Sequence, residues 1–98
     1  MVRIAIDEQK IAKFCNKHQV KKLAFFGSVL RKDFRPGSDV DVLIEFDPEK
    51  RVGFEFFSMQ EELSQILNRK VDLHTPAFLS RYFRDKVLRE AEVHYDRT

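Results

Sequence analysis

Two aspartates one residue apart, Asp39 and Asp41, follow shortly after a Gly-Ser pair, Gly27-Ser28. Successive side chains of a strand point to opposite faces, so both carboxylates would project from one face, their Cα atoms about 7 Å apart. That spacing suits two carboxylates that hold metal between them. Gly27 lets the backbone of the turn approach a phosphate closely, and Ser28 offers a hydroxyl and an N–H to it. Either piece alone is more often an ordinary turn or a solvated strand end, but the two in order favour a phosphate-binding turn facing a metal-binding strand.

A third acid, Asp72, stands between Val71 and Leu73 in a short apolar run. A charge inside a buried strand needs a partner or a metal to offset its desolvation, so we expect Asp72 to join the first two acids. Two carboxylates about 4 Å apart repel by roughly 4 kcal/mol at an effective dielectric near 20, so such a group requires cations. Oxygen ligands without thiolates favour Mg²⁺, or Mn²⁺, whose remaining ligands would be water and nucleotide phosphate. His74 is either a secondary group at this site or, more commonly, an exposed residue at a strand end.

The elements that must position these residues alternate between helix and strand. Their patterns predict helices at 7–18, 54–68 and 77–89, strands at 22–26, 39–46, 71–74 and 91–95, and one or two helical turns from Ser28. Asp7 is the predicted N-cap of the first helix, and Thr75-Pro76 supply the N-cap and first position of the last. Alternation of this kind predicts an α/β (α+β) fold, a small mixed sheet with helices packed on it.

Length and charge limit the class of protein. The 98 residues suffice for one core, so we expect one domain over residues 1–98, with any second, substrate-binding domain either missing or supplied by another chain. A net charge of +2 gives no reason to expect direct nucleic-acid binding. The sequence has neither an apolar run of about 18 residues nor a signal-peptide pattern at its start, so we expect no membrane association and a cytoplasmic location.

Some apolar residues permit two interpretations. Cys15, at helical spacing from Ile11, is more often a core residue than a reactive thiol. Phe54, Phe56 and Phe57 cannot share one face of a helix, because consecutive residues are rotated by about 100°. At least one ring should therefore be exposed, at a loosely packed edge of the core or on a surface that binds a partner or a nucleotide base.

The motifs together resemble those of the minimal nucleotidyltransferases of the DNA polymerase β superfamily, in the form found as the antitoxin beside a HEPN-domain toxin. The resemblance covers nearly the whole chain. The matching residues are Gly27, Ser28 and Arg31 (GSxxR), Ser38 before the first acid, Asp39-Val40-Asp41-Val42, Val71-Asp72-Leu73 and Thr75-Pro76. Each motif is weak by itself, but all of them in this order are fairly specific.

The resemblance implies a polymerase-β-like core and metal-dependent transfer of AMP from ATP. Asp39 and Asp41 would bridge two metal ions, and Asp72 would hold the catalytic one, so all three acids are expected to be both metal ligands and catalytic residues. The nucleotide-binding residues would be Gly27, Ser28, Arg31 and Ser38.

The acceptor implied by the resemblance is a tyrosine hydroxyl of the partner HEPN toxin, which the modification would silence. Two alternatives remain open at the level of sequence. The chain could neutralise a toxin by contact without catalysis, or it could transfer a nucleotide to RNA or to a small molecule. The small charge and the lack of a second domain weigh against transfer to RNA or to a small molecule.

Overall fold

The structure is a computed structural model that describes residues 2, 4–35 and 37–97. These residues form three α-helices, α1 (Glu8–Lys17), α2 (Glu55–Leu67) and α3 (Arg81–Glu90), and four strands, β1 (Val20–Phe26), β2 (Val40–Phe46), β3 (Val71–His74) and β4 (Glu92–Asp96). Short 3₁₀ turns occupy Gly27–Leu30 and Pro76–Phe78. Within the described ranges, no helix is long and apolar enough to cross a membrane.

The four strands form one mixed sheet in the order β3-β2-β1-β4. β1 is antiparallel to both β2 and β4, whereas β2 and β3 are parallel. The predicted small mixed sheet with packed helices is therefore confirmed. Parallel neighbours place equivalent ends side by side, so residues near the start of β2 lie beside residues near the start of β3.

Helices α1 and α2 cover one face of the sheet and form the main core with it. Alternate strand residues enter this core from β1, β2 and β3, and the helices add a buried stripe each. The fully buried members with the largest side chains are Phe14, Phe25, Ile11, Leu23, Ile44, Met59 and Leu63. Cys15 is also buried there, as predicted, and its burial raises the thiol pKa to about 12.

The opposite face of the sheet carries a smaller apolar cluster. Phe26 and Leu43 on the strands pack with Leu79 and with Val87 of α3. α3 and Leu79 cover only part of this face, so the acidic side chains of β2 and β3, which alternate with the core positions, keep access to solvent.

The last helix begins later than predicted. Thr75-Pro76 start a 3₁₀ turn, and α3 begins at Arg81, where the Ser80 hydroxyl accepts a hydrogen bond from the Tyr82 N–H at 3.3 Å. The cause is Leu79, which has extended backbone angles (φ −82°, ψ 143°) and is buried in the smaller cluster. The first helix agrees with prediction, since Asp7 caps it by accepting from the N–H groups of residues 9 and 10.

Candidate active site

The register of β2 and β3 brings two of the predicted acids together. Asp41 lies directly opposite Asp72, and Leu43 lies opposite His74. Neighbouring strands are about 4.8 Å apart, so acids at paired positions on one face are adjacent. Since Val71 and Leu73 enter the main core, the side chains between and after them point to the other face.

Asp41, Asp72 and His74 form a group that could hold a metal ion. One ligand atom from each residue lies within 4.8 Å of the other two. The His74 Nε2 atom is 3.4 Å from Asp41 Oδ1, and the His74 ring packs against the ring of Phe26, with centroids 5.2 Å apart. The imidazole is thus held between an acid and an aromatic ring.

The expectation that Asp72 is buried is wrong. Its side chain is exposed, because β3 is an edge strand and the face that carries Asp72 is only partly covered. Desolvation therefore gives no reason for Asp72 to need a cation. What places Asp72 in the group is its pairing with Asp41 across the two strands.

Asp39 lies just before β2 and is not a member of the group in the described part of the chain. Its Oδ2 atom is 3.9 Å from the Nζ atom of Lys70, the residue that precedes β3. Both side chains are partly exposed, so this pair contributes little to stability. The role of Asp39 as a metal ligand stays a prediction.

Gly27 adjoins Asp41. Its φ of +78° belongs to the left-handed region, which residues with a Cβ atom rarely adopt. A Cβ atom built at this position would lie 2.5 Å from Asp41 Oδ2. Glycine is therefore required at position 27 for two reasons. It allows this backbone conformation, and it leaves the space that the Asp41 carboxylate occupies. The sequence predicted a close approach by a ligand, whereas the structure shows a close approach by a side chain of the site.

The other three nucleotide-binding candidates lie around the segment that joins β1 to β2. Ser28 is half-buried in the 3₁₀ turn next to Gly27, and its carbonyl accepts a hydrogen bond from the Arg31 N–H at 2.9 Å. Arg31 is exposed, and Ser38 is half-buried one residue before Asp39. Ser28 thus follows directly on Gly27, which adjoins Asp41. The nucleotide-binding roles of Gly27, Ser28, Arg31 and Ser38 stay predictions.

The donor atoms of the group fit a divalent cation of intermediate hardness. Carboxylate oxygens suit Mg²⁺ and Mn²⁺, and an imidazole nitrogen adds a ligand that transition metals accept more readily than Mg²⁺ does. From the sequence, His74 was either a secondary group at the site or, more commonly, an exposed residue at a strand end, and its two-residue spacing from Asp72 was the signal for the first. The pairing of β3 with β2 was needed to see that His74 faces Asp41.

Comparisons with known proteins found a matching family model and similar proteins. A family model described as a nucleotidyltransferase domain matches residues 8–94. A protein of Methanocaldococcus jannaschii, named as a candidate protein adenylyltransferase, is 32% identical over 84 residues, which cover 86% of this chain and 89% of the relative. Protein adenylyltransferase MntA of Thermococcus cleftensis is 32% identical over 71 residues, covering 72% of this chain and 71% of the relative.

Solved structures share the fold. A toxin-antitoxin crystal structure with AMP-PNP has a TM-score of 0.74 at 18% identity, covering 93% of this chain and 74% of that chain. A tri-AMPylated Shewanella oneidensis HEPN toxin in complex with MNT antitoxin has a TM-score of 0.66 at 19% identity, covering 91% and 69%. At these identities the likeness establishes the architecture of the chain.

Proposed function

This chain belongs to the nucleotidyltransferase domain family, and on that premise we propose that it transfers AMP from ATP to a tyrosine hydroxyl of a partner HEPN toxin and so acts as its antitoxin. The observation that carries the proposal is the pairing of Asp41 with Asp72 across β2 and β3, with Gly27 packed against Asp41. Acids brought together by register on an accessible sheet face are what transfer at a phosphate requires.

Asp41 and Asp72 would hold divalent metal, Mg²⁺ or Mn²⁺, with Asp39 as the third ligand and His74 at its side. Two ions are expected from the family. When bound, the metal would stabilise the developing charge on the phosphate oxygens and on the leaving pyrophosphate. Asp39 would have to leave Lys70 to join the other acids, a small cost for an exposed pair.

The residues of the turn would bind the triphosphate. Ser28 has an N–H and a hydroxyl that can donate to phosphate oxygens, and Arg31 can add a fork of charged donors. Ser38 precedes the first acid and could orient the same phosphates. The tyrosine oxygen would attack the α-phosphorus, the bond from this phosphorus to the β-phosphate bridge would break, and pyrophosphate would leave. Asp72, which is exposed, or solvent would take the hydroxyl proton.

Support for a protein acceptor comes from the relatives and from the surface. One relative is named as a protein adenylyltransferase and the other as a candidate one, and one structural neighbour holds an AMPylated HEPN toxin. Three phenylalanine rings of this chain, Phe54, Phe57 and Phe78, are 92%, 70% and 69% exposed. Exposed aromatic side chains are typical of interaction sites. Phe78 lies four residues after His74 in the chain, and its ring packs edge-on against that of Phe56, with centroids 5.6 Å apart.

The same exposed rings favour a second candidate function. A chain that binds its toxin through an aromatic surface could neutralise it by contact alone, without transfer. The two functions differ in what the acids do, since contact needs the rings and transfer needs both the rings and the acids.

Co-expression in cells separates the two. A strain that expresses the neighbouring toxin should grow with the wild-type chain and fail to grow with a variant that carries Asp41→Asn and Asp72→Asn. Co-purification of toxin and variant provides the control for binding. If the double variant restores growth as well as the wild type, contact is the mechanism and the proposal of transfer is wrong.

A further inference from the structure

Side chains of α2 accept hydrogen bonds from the main chain along the outer edge of β3. The Leu73 N–H donates to Gln60 Oε1 at 2.9 Å, and the Val71 N–H donates to the Ser64 hydroxyl at 3.1 Å. β3 has a strand neighbour on one side only, so these amides would otherwise be the unpaired donors of an edge strand. The Ser64 hydroxyl itself donates to the Gln60 carbonyl at 2.9 Å, which fixes its orientation.

The spacing of the two acceptors on α2 matches the spacing of the two amides on β3. Gln60 and Ser64 are four residues apart on α2, so they share a face with Cβ atoms about 5–6 Å apart. Alternate residues of a strand are separated by about 6.6–7 Å, so both acceptors reach their amides at once. Asn68, in the left-handed conformation at φ 53°, turns the chain tightly from α2 into β3. The helix therefore runs along the strand and holds two of its four residues.

These contacts act on the register of β3. A slip by one residue is opposed by the hydrophobic pattern, because it would expose Val71 and Leu73 and bury Asp72. A slip by two residues preserves that pattern but moves Asp72 about 6.6–7 Å along Asp41's strand. Such a slip would separate Gln60 and Ser64 from the N–H groups of Leu73 and Val71 that they now accept from. The hydrophobic pattern thus selects the face, and the two α2 side chains select between registers that share it.

We propose that Gln60, together with Ser64, is a positioning residue of the active site. Gln60 holds the main chain of Leu73, the residue between Asp72 and His74, and so keeps both side chains beside Asp41. This inference rests on the proposed function, since it takes that group as the place where the chemistry occurs. Gln60 acts through the backbone of β3 and has no chemical role of its own.

Three variants test the inference. Gln60→Met keeps the length and helix preference of the side chain but removes the acceptor, and Gln60→Glu restores an acceptor. Gln65→Met is the matched control, because Gln65 is exposed on the same helix and, together with Gln60, lines a surface groove between α2 and the start of β3. The measurements are hydrogen exchange of the Leu73 amide by NMR, and the Mn²⁺ dissociation constant from the electron paramagnetic resonance signal of free Mn²⁺.

Gln60→Met is expected to accelerate exchange of the Leu73 amide and to weaken Mn²⁺ binding by about 10-fold, as is typical when a group that orients a metal ligand is lost. Gln60→Glu and Gln65→Met should stay close to wild type in both. Unchanged exchange in Gln60→Met would overturn the inference. Faster exchange or a lower melting temperature with unchanged Mn²⁺ affinity would assign Gln60 to stability alone, which also overturns it. A wild-type chain that binds no Mn²⁺ would contradict the proposed function, and the Leu73 exchange rates would still decide whether Gln60 holds the strand.

Discussion

Gly27 packs so closely on Asp41 that a Cβ atom at position 27 would lie 2.5 Å from Asp41 Oδ2 and 3.4 Å from Asp41 Cγ. The turn after β1 and the acid on β2 are therefore one unit, in which the absence of a side chain at one position sets the orientation of the carboxylate at the other. Phe26, just before the turn, pairs with Asp41 across the strands and packs on His74. The end of β1 and the turn that follows it thus contact Asp41 and His74, two of the three residues that could hold a metal ion.

Gly27→Ala should displace the Asp41 carboxylate. The substitution adds about 1–2 kcal/mol of backbone strain, because φ of +78° is unfavourable for alanine, and it forces Asp41 away from its present position. We expect a lower melting temperature and at least a 10-fold loss of Mn²⁺ affinity. Titration of the folded variant with Mn²⁺, below its melting temperature, measures the second effect separately from the first.

Gly53→Ala is the matched control for this substitution, since a Cβ atom at Gly53 meets no atom within 4 Å. It should change neither stability nor Mn²⁺ affinity appreciably. A Gly27→Ala variant that binds Mn²⁺ as tightly as Gly53→Ala would show that Asp41 is not a ligand or that its position is not set by Gly27.

Stability should depend on pH through His94. Burial lowers the pKa of His94, but its 2.7 Å contacts to Glu92 and Glu8 outweigh burial and raise it. The protonated form therefore stabilises the fold below the unfolded pKa of about 6.5, and this contribution is lost as pH rises through the raised pKa of the folded state. Glu8 is 56% exposed, so the contribution should stay below about 1 kcal/mol.

His94→Gln should remove this dependence. The melting temperature of wild type should exceed that of the variant by a few degrees more at pH 6 than at pH 8.5. Thermal unfolding followed by circular dichroism at both pH values measures the difference. An equal gap at the two pH values would mean that the ion pairs of His94 add nothing to stability.

Cys15 should be unreactive in the folded chain. Burial raises its pKa to about 12, so at pH 8 only about one thiol in ten thousand is ionised to the thiolate. A disulfide reagent should modify it at a rate limited by opening of the structure, and rapidly in denaturant. Fast modification under native conditions would contradict the packing of α1 against the sheet.

The exposed aromatic surface should bind the partner. Replacing Phe57 and Phe78 by serine removes two rings that are mostly exposed, so stability should change little while partner affinity falls about 10-fold or more. Val93→Ser is the matched control, because Val93 is a 44% exposed apolar residue on β4, at the opposite edge of the sheet from β3. Calorimetric titration with the partner measures the effect. Equal losses in both variants, or no loss in either, would place the interface elsewhere.

Much of the fold was predictable because local signals agreed with one another. Asp7 marked the start of α1, alternation in β2 marked its core face, and the order of helices and strands predicted the mixed sheet. The motifs also predicted the family, which is confirmed. The start of α3 was wrong because Thr75-Pro76 is equally good as the start of a 3₁₀ turn, and only the burial of Leu79 on the sheet decides between them.

The site was less predictable, because it depends on contacts between distant segments. Sequence could place Asp72 on a strand but not at the exposed edge of the sheet, and the pairing of His74 with Leu43 follows from a register that no local pattern encodes. The contact between Gly27 and Asp41 is of the same kind. The catalytic roles of Asp39, Asp41 and Asp72 stay predictions. Asp39 differs from the other two in that its carboxylate lies near Lys70 and not within the group of Asp41.

Transfer of label from ATP to the partner shows directly whether this chain is a protein adenylyltransferase. The purified partner is incubated with ATP labelled at the α-phosphate and Mg²⁺, with wild type or with the variant that carries Asp41→Asn and Asp72→Asn, and the modified residue is located by mass spectrometry. We expect AMP on a tyrosine of the partner with wild type and at least a thousandfold less with the variant, because stabilisation of charge by metal ions supplies a large part of the rate of such reactions. Equal labelling by the two proteins, or no labelling of a partner that wild type binds, would contradict the proposed transfer.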